Sequence, residues 1–274
     1  MKIKKGTLFT YLLLLLLVAV MLYPILFAVA NSFKTQRELY GDVLSLWPKA
    51  PTLENYHTIV TRIDYFRVVM NTLTIATIVM VFKIVTSFIV AYAFVFLRFP
   101  GKNILYFVLI STMFIPFTVT MIPNYITISK LGLTDNIYGV LLPQLSDAMG
   151  IFLLRQQMRS VPAALFEVAK LEKTPHWRIM TTLILPIIRP AVISTGIMFF
   201  INSWNEYVWP TLILKSKENF TLSLALQQFV GAEGSPDMAI SMAMATATMI
   251  IPLILFTCCQ RYIMSTYASS GIKG

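Results

Sequence analysis

The sequence predicts an all-α polytopic membrane protein with six transmembrane helices, and two observations support this fold class. The first is composition: the 274 residues are 57% hydrophobic and only 12% charged, whereas soluble domains carry about 25% charged residues. The second is a set of six apolar stretches, each close to the roughly 20 helical residues that cross a bilayer. We expect one transmembrane domain over residues 1–274, with spans at about 8–30, 68–97, 104–128, 137–158, 190–214 and 239–264.

The first apolar stretch has an alternative interpretation as a cleaved signal peptide. Lysines precede it, and Ala28-Val29-Ala30 has the small residues of a signal-peptidase site. However, its 23 apolar residues, 8–30, are too many, because the apolar core of a signal peptide has about 7–15 residues. We therefore expect the first stretch to be a retained span.

The distribution of Lys and Arg predicts that both termini are cytoplasmic. In this orientation the inner side carries thirteen cations against two carboxylates, whereas the outer side carries eight of each. Cytoplasmic loops carry the excess of Lys and Arg. The formal net charge of +10 is therefore explained by topology, and we expect no nucleic-acid partner.

The inner loop at about 159–189 predicts two short helices. Pro162 suits the first turn of a helix. Pro175 disfavours helical backbone at the preceding residue, so we expect Thr174 to cap a second helix with Pro175 in its first turn. This second helix would run towards Pro186.

The first of these helices is predicted to be amphipathic. Leu165, Val168 and Ala169 recur at helical spacing on one face, and Glu167 and Lys170 lie on another. Such a helix can lie on lipid headgroups or dock in a groove of a cytoplasmic partner. Periodicity leaves both interpretations open.

The same loop resembles the cytoplasmic signature of ABC importer permeases, E-A-A-x3-G-x9-I-x-L-P. Val168 and Lys173 depart from it, and Lys173 replaces a glycine. A left-handed lysine costs about 1 kcal/mol, so we expect the turn to rely on the Thr174 cap instead. The matching positions are Glu167, Ala169, Leu183, Leu185 and Pro186.

Further matches are similar to the carbohydrate-uptake branch of that family, the second permease of maltose-type systems. The resemblance implies a type I ABC importer permease fold in a prokaryotic cytoplasmic membrane. It also implies a heterodimer with a second permease, an ATPase dimer that binds the ATP, and an extracellular sugar-binding protein. The matching segments are Asn31-Ser32-Phe33-Lys34, Leu53-Glu54-Asn55-Tyr56, Arg98-Phe99-Pro100-Gly101-Lys102, Trp204-Asn205-Glu206-Tyr207, Thr221-Leu222-Ser223-Leu224 and Gln260-Arg261-Tyr262.

Coupling to an ATPase is then predicted at the 161–185 loop. A motor shifts a membrane equilibrium only if it contacts the two states differently, and this loop would supply the contact. The C-terminal segment 269–274 would either add a second contact or be disordered. The predicted coupling residues are Leu165, Glu167, Ala169, Leu171 and Lys173.

Polar residues inside spans predict a substrate pathway, because such residues usually face a cavity or another helix. Trp204, Tyr207 and Trp209 have an alternative role as an interfacial aromatic belt. Lys83 and Asp147 are expected to pair between helices or with the partner permease. The candidate pathway residues are Asn124, Tyr125, Asn202, Trp204, Asn205 and Glu206.

Span three contains Pro116 and Pro123, which predict kinks. The two histidines, His57 and His176, are predicted loop residues without ligand-spaced companions, so we expect no metal site.

Enzymatic function is not predicted. The chain has no G-x-x-x-x-G-K-[ST] phosphate loop and no HExxH or GxSxG motif, so we expect no ATP or other cofactor on it. The alternative function is an autonomous secondary transporter or channel. That class predicts inverted halves with helices broken at matched positions. The transported sugar is not identified by these residues.

Overall fold

The structure, a computed structural model, describes residues 5–41, 45–230 and 237–271, and these ranges contain helices and no strand. Short 3-10 segments lie at Thr112–Phe114, Leu142–Gln144 and Lys217–Asn219, and a π segment lies at Ile179–Ile184. In chain order the α-helices are α1 (Lys5–Asn31), α2 (Gln36–Gly41), α3 (Glu54–Ile63), α4 (Tyr65–Phe96), α5 (Lys102–Ser111), α6 (Phe117–Lys130), α7 (Ile137–Leu141), α8 (Ala148–Met158), α9 (Ala163–Leu171), α10 (His176–Arg178), α11 (Leu185–Ile187), α12 (Arg189–Asn205), α13 (Val208–Ile213), α14 (Leu222–Val230) and α15 (Met238–Gly271).

Three helices are long and apolar enough to cross a membrane unaided: Thr7–Asn31, Tyr65–Phe96 and Met238–Tyr262. Three bent helix pairs pass the same test, which gives six spans if each pair crosses as one. The all-α class is thus confirmed, and the bounds of the six spans stay a prediction. The pairs bend by 97° between Lys102–Phe114 and Phe117–Lys130, by 43° between Ile137–Gln144 and Ala148–Met158, and by 85° between His176–Ile187 and Arg189–Asn205.

The break in the third span lies at Pro116, as predicted, because proline has no N–H to continue the helical ladder. Pro123 instead lies inside the uninterrupted helix α6. In a bilayer, non-helical backbone persists only where protein surrounds it or a cavity adjoins it. We therefore expect protein groups or a cavity beside each of the three bends.

The fifth span differs from its predicted extent of 190–214. Helix α12 ends at Asn205, and the short helix α13 starts at Val208. The interruption lies at Glu206, whose Oε1 accepts hydrogen bonds from the backbone N–H groups of Val208 (2.9 Å) and Trp209 (3.2 Å). Glu206 thus caps a new helix, which the apolar composition of the stretch did not indicate.

Residues 1–68 and 222–251 form one of two compact units. Its polar centre is Asn55, whose side chain donates to the backbone carbonyls of Ser32 and Lys34, both at 2.8 Å. The hydroxyls of Ser32 and Tyr56 are 2.7 Å apart. Lys34 is fully buried, and its Nζ donates to the carbonyl of Ser45. Two of the segments that carried the family resemblance therefore tie α3 to the end of α1.

Residues 69–221 and 252–274 form the second unit. Helix α8 lies unusually close to its neighbours at Gly150, where an added Cβ would be 2.4 Å from Ser87 Oγ and 2.5 Å from Phe199 Cζ. Next to this contact, Lys83 Nζ lies 3.0 Å from Asp147 Oδ2. The predicted pairing of these two residues between helices is confirmed.

Asp135 fastens two loops of the second unit together. Its carboxylate accepts hydrogen bonds from the Ser216 hydroxyl, from the backbone N–H groups of Ser216 and Lys215 (2.9 Å each), and from the Asn219 amide (3.2 Å). These donors, those of Ser216 first, lower the pKa of Asp135 well below its ordinary value of 3.8. The charged form of the carboxylate is therefore the one that the fold stabilises.

Asp135→Asn is expected to lower the free energy of unfolding by about 2 kcal/mol at neutral pH, because charge-assisted hydrogen bonds are lost. The folded pKa is depressed, so the contribution is present above the ordinary pKa and disappears as pH falls from about 5 towards about 2. Unfolding of the detergent-solubilised protein across this range measures it. Asp64→Asn, at an exposed turn, is the matched control. Equal pH dependence of the wild type and Asp135→Asn would contradict the assignment.

Candidate functional site

The segment 161–187 folds as a helical hairpin, and we call it the hairpin below. Its first helix, α9, begins directly after Pro162, and its second begins with α10 at His176. The two predicted short helices are confirmed. The second arm continues through the π segment Ile179–Ile184 to Ile187. Such π segments are rare and are frequent at functional sites.

The turn of the hairpin is left-handed at Lys173, with φ of +53°. The Lys173 N–H donates to the Lys170 carbonyl and the Thr174 N–H to the Ala169 carbonyl, both at 3.0 Å. This is the Schellman pattern that closes helix C-termini. The predicted Thr174 cap is wrong: Pro175 occupies the cap position of the second arm without a side-chain hydrogen bond. Two backbone hydrogen bonds outweigh the cost of about 1 kcal/mol of a left-handed lysine.

One face of α9 packs inward. Phe166 and Ala169 lie against a cluster of buried side chains from α4, α8 and the second arm. Ala169 was grouped by sequence spacing with Leu165 and Val168, but it belongs to this inner face. The buried members of the cluster are Ala91, Tyr92, Leu154, Met158, Val161, Ile179, Ile184 and Ile188.

The opposite face of α9 is exposed and apolar. Leu165, Val168 and Leu171 are 42%, 53% and 83% exposed, and Glu167 and Lys173 are also exposed. Four of the five predicted coupling residues thus lie outside, and only Ala169 lies within. The helix presents a row of apolar side chains that nothing in the described residues covers.

A hydrogen bond between aromatic residues joins the hairpin to α4. The buried Tyr92 places its Oη 2.7 Å from Nδ1 of His176. Phe166 lies beside both of these rings and beside Phe96, with ring centroids 4.8 Å from Phe96 and 6.4 Å from both Tyr92 and His176. His176 was predicted to be a loop residue without companions at ligand spacing. Its partner lies 84 positions away, and no local pattern reports such a contact.

A second feature is a cavity of about 340 Å³ in the second unit, which we call the polar cavity. Three helix N-termini border it: α6 begins at Phe117, Asp147 caps α8 by accepting from Met149 and Gly150 N–H, and Glu206 caps α13. Its lining residues are Lys83, Phe117, Thr120, Asn124, Pro143, Gln144, Ser146, Asp147, Glu206 and Trp209.

Two of the six predicted pathway residues, Asn124 and Glu206, line the polar cavity. Trp204 does not; it is fully buried and stacks on Phe200 with centroids 5.7 Å apart. The other three predicted residues that do not line it are Tyr125, Asn202 and Asn205.

Trp209 is 2% exposed, and its Nε1 donates to the Gly139 carbonyl at 3.2 Å. Trp204 and Trp209 therefore lie inside the protein and form no lipid-facing belt, whereas Tyr207 is 45% exposed. The lining residues of segment 143–147 were not among the predicted pathway residues. Their signal was the cluster Pro-Gln-Leu-Ser-Asp, which interrupts an apolar stretch.

Lys173→Gly is expected to raise the free energy of unfolding by about 1 kcal/mol, because glycine adopts the left-handed backbone without the Cβ clash. Lys170→Gly, at a helical position three residues earlier, is the matched control. It is expected to lower stability by about 1 kcal/mol. Chemical unfolding in detergent measures both changes, and shifts of the same sign would refute the assigned turn.

Tyr92→Phe keeps the ring and removes the hydroxyl that bonds His176, so we expect the free energy of unfolding to fall by about 1 kcal/mol. Amide hydrogen exchange is expected to rise within 163–187 and to stay unchanged in α12. Tyr106→Phe is the control, since within the described residues the Tyr106 hydroxyl makes no hydrogen bond. Equal exchange in the two variants would show that the His176 contact does not hold the hairpin.

A family model described as a binding-protein-dependent transport system inner membrane component matches residues 83–266. A putative ABC transporter permease protein, ORF2, of Caldicellulosiruptor is 32% identical, covering 92% of this chain and 91% of the relative. The sn-glycerol-3-phosphate transport system permease protein UgpE of Brucella melitensis is 28% identical, covering 94% of both chains. The arabinooligosaccharides transport system permease protein AraQ of Halalkalibacterium halodurans is 28% identical, covering 92% of this chain and 91% of the relative.

Among solved structures, a chain of a bacterial ABC transporter that imports the acidic polysaccharide alginate matches with a TM-score of 0.84. The two chains are 20% identical, and the match covers 96% of this chain and 99% of that chain. This likeness supports the type I ABC importer permease fold. The matched family model covers more than half of the sequence. The chain therefore belongs to the family of binding-protein-dependent transport system inner membrane components.

Proposed function

We propose that this chain is the permease subunit of an ATP-driven, binding-protein-dependent sugar importer in a prokaryotic cytoplasmic membrane. It forms half of the translocation pathway beside a second homologous permease. A cytoplasmic ATPase dimer and an extracellular sugar-binding protein complete the complex. Family membership and the cargoes in the names of the relatives support this function, although those cargoes include both a neutral oligosaccharide and an anionic glycerol phosphate.

The observation that carries the proposal is the two-sided construction of α9. Its inner face is held by Phe166 and Ala169 against the buried cluster. Its outer face leaves Leu171 83% exposed, and burial of one leucine side chain contributes about 1.5–3 kcal/mol. A partner that covers the outer face gains this free energy.

Motion of the ATPase then reaches the membrane spans through rigid contacts. A closing ATPase pushes on α9, and Phe166 transfers the displacement to Tyr92 and Phe96 of α4. The second arm is joined to α12 through Ile188, at a bend of 85°. Coupling of this kind needs contacts that differ between the inward-facing and outward-facing states.

The hairpin must face the cytoplasm for this coupling. The thirteen cations predicted on the inner side support that orientation. ATP binding and hydrolysis belong to the partner, because the chain has no phosphate loop. Helix α15 reaches Gly271, and residues 272–274 lie outside the described residues, so a contact of the C-terminal tail stays a prediction.

The alternative function is an autonomous secondary transporter. Secondary transporters also contain broken helices, which resemble the three bent helix pairs of this chain. The family match over residues 83–266 favours the ATP-driven function. Transport by this chain alone in liposomes, driven by an ion gradient without any ATPase, would establish the alternative.

Glu167→Lys is expected to leave membrane insertion intact and to detach or uncouple the ATPase, because it reverses a charge on the outer face of α9. Sugar-stimulated ATP hydrolysis of the reconstituted complex should fall by about tenfold or more, the effect of one lost charge-assisted contact. Glu172→Lys, the same change at the end of the helix, is the matched control. Unchanged stimulation in Glu167→Lys would count against docking at this face. So would cross-links from 161–185 to lipid alone throughout the transport cycle.

A further inference from the structure

The polar cavity contains a carboxylate oxygen whose hydrogen-bonding capacity is unused. Glu206 Oε1 accepts from Val208 and Trp209 N–H, but within the described part of the chain Glu206 Oε2 meets no donor and no cation lies within ion-pair distance. A carboxylate accepts hydrogen bonds and cannot donate them. The free oxygen therefore suits a ligand that brings a hydroxyl.

The other charges of the cavity are already matched. Asp147 Oδ2 pairs with Lys83 Nζ at 3.0 Å, and Asp147 Oδ1 accepts from Met149 and Gly150 N–H. The lining thus holds one cation and two carboxylates, a formal net charge of −1 that resides on Glu206. Like charges repel, so the net negative charge of the lining opposes phosphate and carboxylate groups.

The remaining surface suits a sugar ring. The side-chain amide of Asn124 can both donate and accept hydrogen bonds. Gln144 Nε2 donates to the Val140 carbonyl at 2.9 Å, which leaves Gln144 Oε1 available to accept from a ligand. Phe117 and Trp209 meet edge to face at 6.2 Å and form an apolar wall. The volume of about 340 Å³ is at the small end of ligand cavities, which fits one ring rather than a chain.

We propose that the polar cavity binds one ring of an uncharged saccharide and that Glu206 discriminates against anionic sugars. The inference rests on the proposed function only in taking a sugar as the cargo. It assigns this subunit a direct part in selectivity, separate from the choice made by the delivering protein. Glu206 accepts a ring hydroxyl, the Asn124 amide bonds a neighbouring hydroxyl, and Phe117, which is 44% exposed, covers the C–H face.

The test measures binding to the complete transporter, this chain with its partner permease and ATPase, in nanodiscs without the delivering protein. The neutral probes are maltotriose and arabinotriose; the anionic probes are trimannuronate and glycerol 3-phosphate. We expect neutral probes to bind at least about tenfold more tightly, the effect of one charge-assisted hydrogen bond. Equal or tighter binding of the anionic probes, or no binding of any probe, would overturn the proposal.

Glu206→Gln retains an oxygen for the helix cap and removes the charge, so the preference for neutral probes should fall to within about threefold. Glu218→Gln, the same change at an exposed loop position, should leave the preference unchanged. Asn124→Leu fills the cavity and should weaken the binding of the neutral probes by about tenfold. This variant tests the site even if Glu206→Gln does not assemble. Identical preferences in Glu206→Gln and Glu218→Gln would overturn the role of Glu206. ATP hydrolysis stimulated by the delivering protein, measured on the same preparations, tests the permease function independently.

Discussion

A bilayer supplies no hydrogen-bond partners, so a helix can stop inside it only where protein groups satisfy the freed backbone N–H donors. Two carboxylates meet this requirement in the second unit: Asp147 caps α8 and Glu206 caps α13. Each cap places a charge deep in an apolar stretch. Lys83 compensates the first charge, and the second is left on the wall of the polar cavity. The same two carboxylates thus end helices and supply charge to the polar cavity.

The hairpin solves a different problem, the transmission of force through a small element. A nine-residue helix has little stability of its own, and α9 is held by tertiary contacts: its aromatic side chain Phe166 in the buried cluster, and the arm that follows it tied by His176 to Tyr92. Its remaining apolar surface is thereby kept outside. A helix free to rotate would bury this surface against its own chain and lose it as a contact for another protein.

Composition was sufficient to predict the helical class and the hairpin, because each depends on local apolar runs and proline positions. The interruption at Glu206 was missed because the stretch 190–214 is apolar enough to cross as one helix, although Asn202 and Asn205 precede the break and Pro210 follows it. The left-handed Lys173 was missed because intrinsic preference argued against it, and two backbone hydrogen bonds outweighed that preference. The inward position of Ala169 and the partner of His176 depend on residues of α4, which spacing within the loop cannot report. In the candidate pathway, polarity alone selected Asn124 and Glu206, which line the polar cavity, together with Asn202 and Asn205, which do not.

The buried Lys34 ties together the segments that follow α1 in the first unit. Its ammonium group is enclosed, with the Ser45 carbonyl as an acceptor, and the backbone on which it stands is held by Asn55. Withdrawal of either contact alone would strand a desolvated ion, which is strongly unfavourable. Residues 31–41 and 45–56 are therefore expected to open together rather than one part at a time, so that thermal fluctuations rarely separate them.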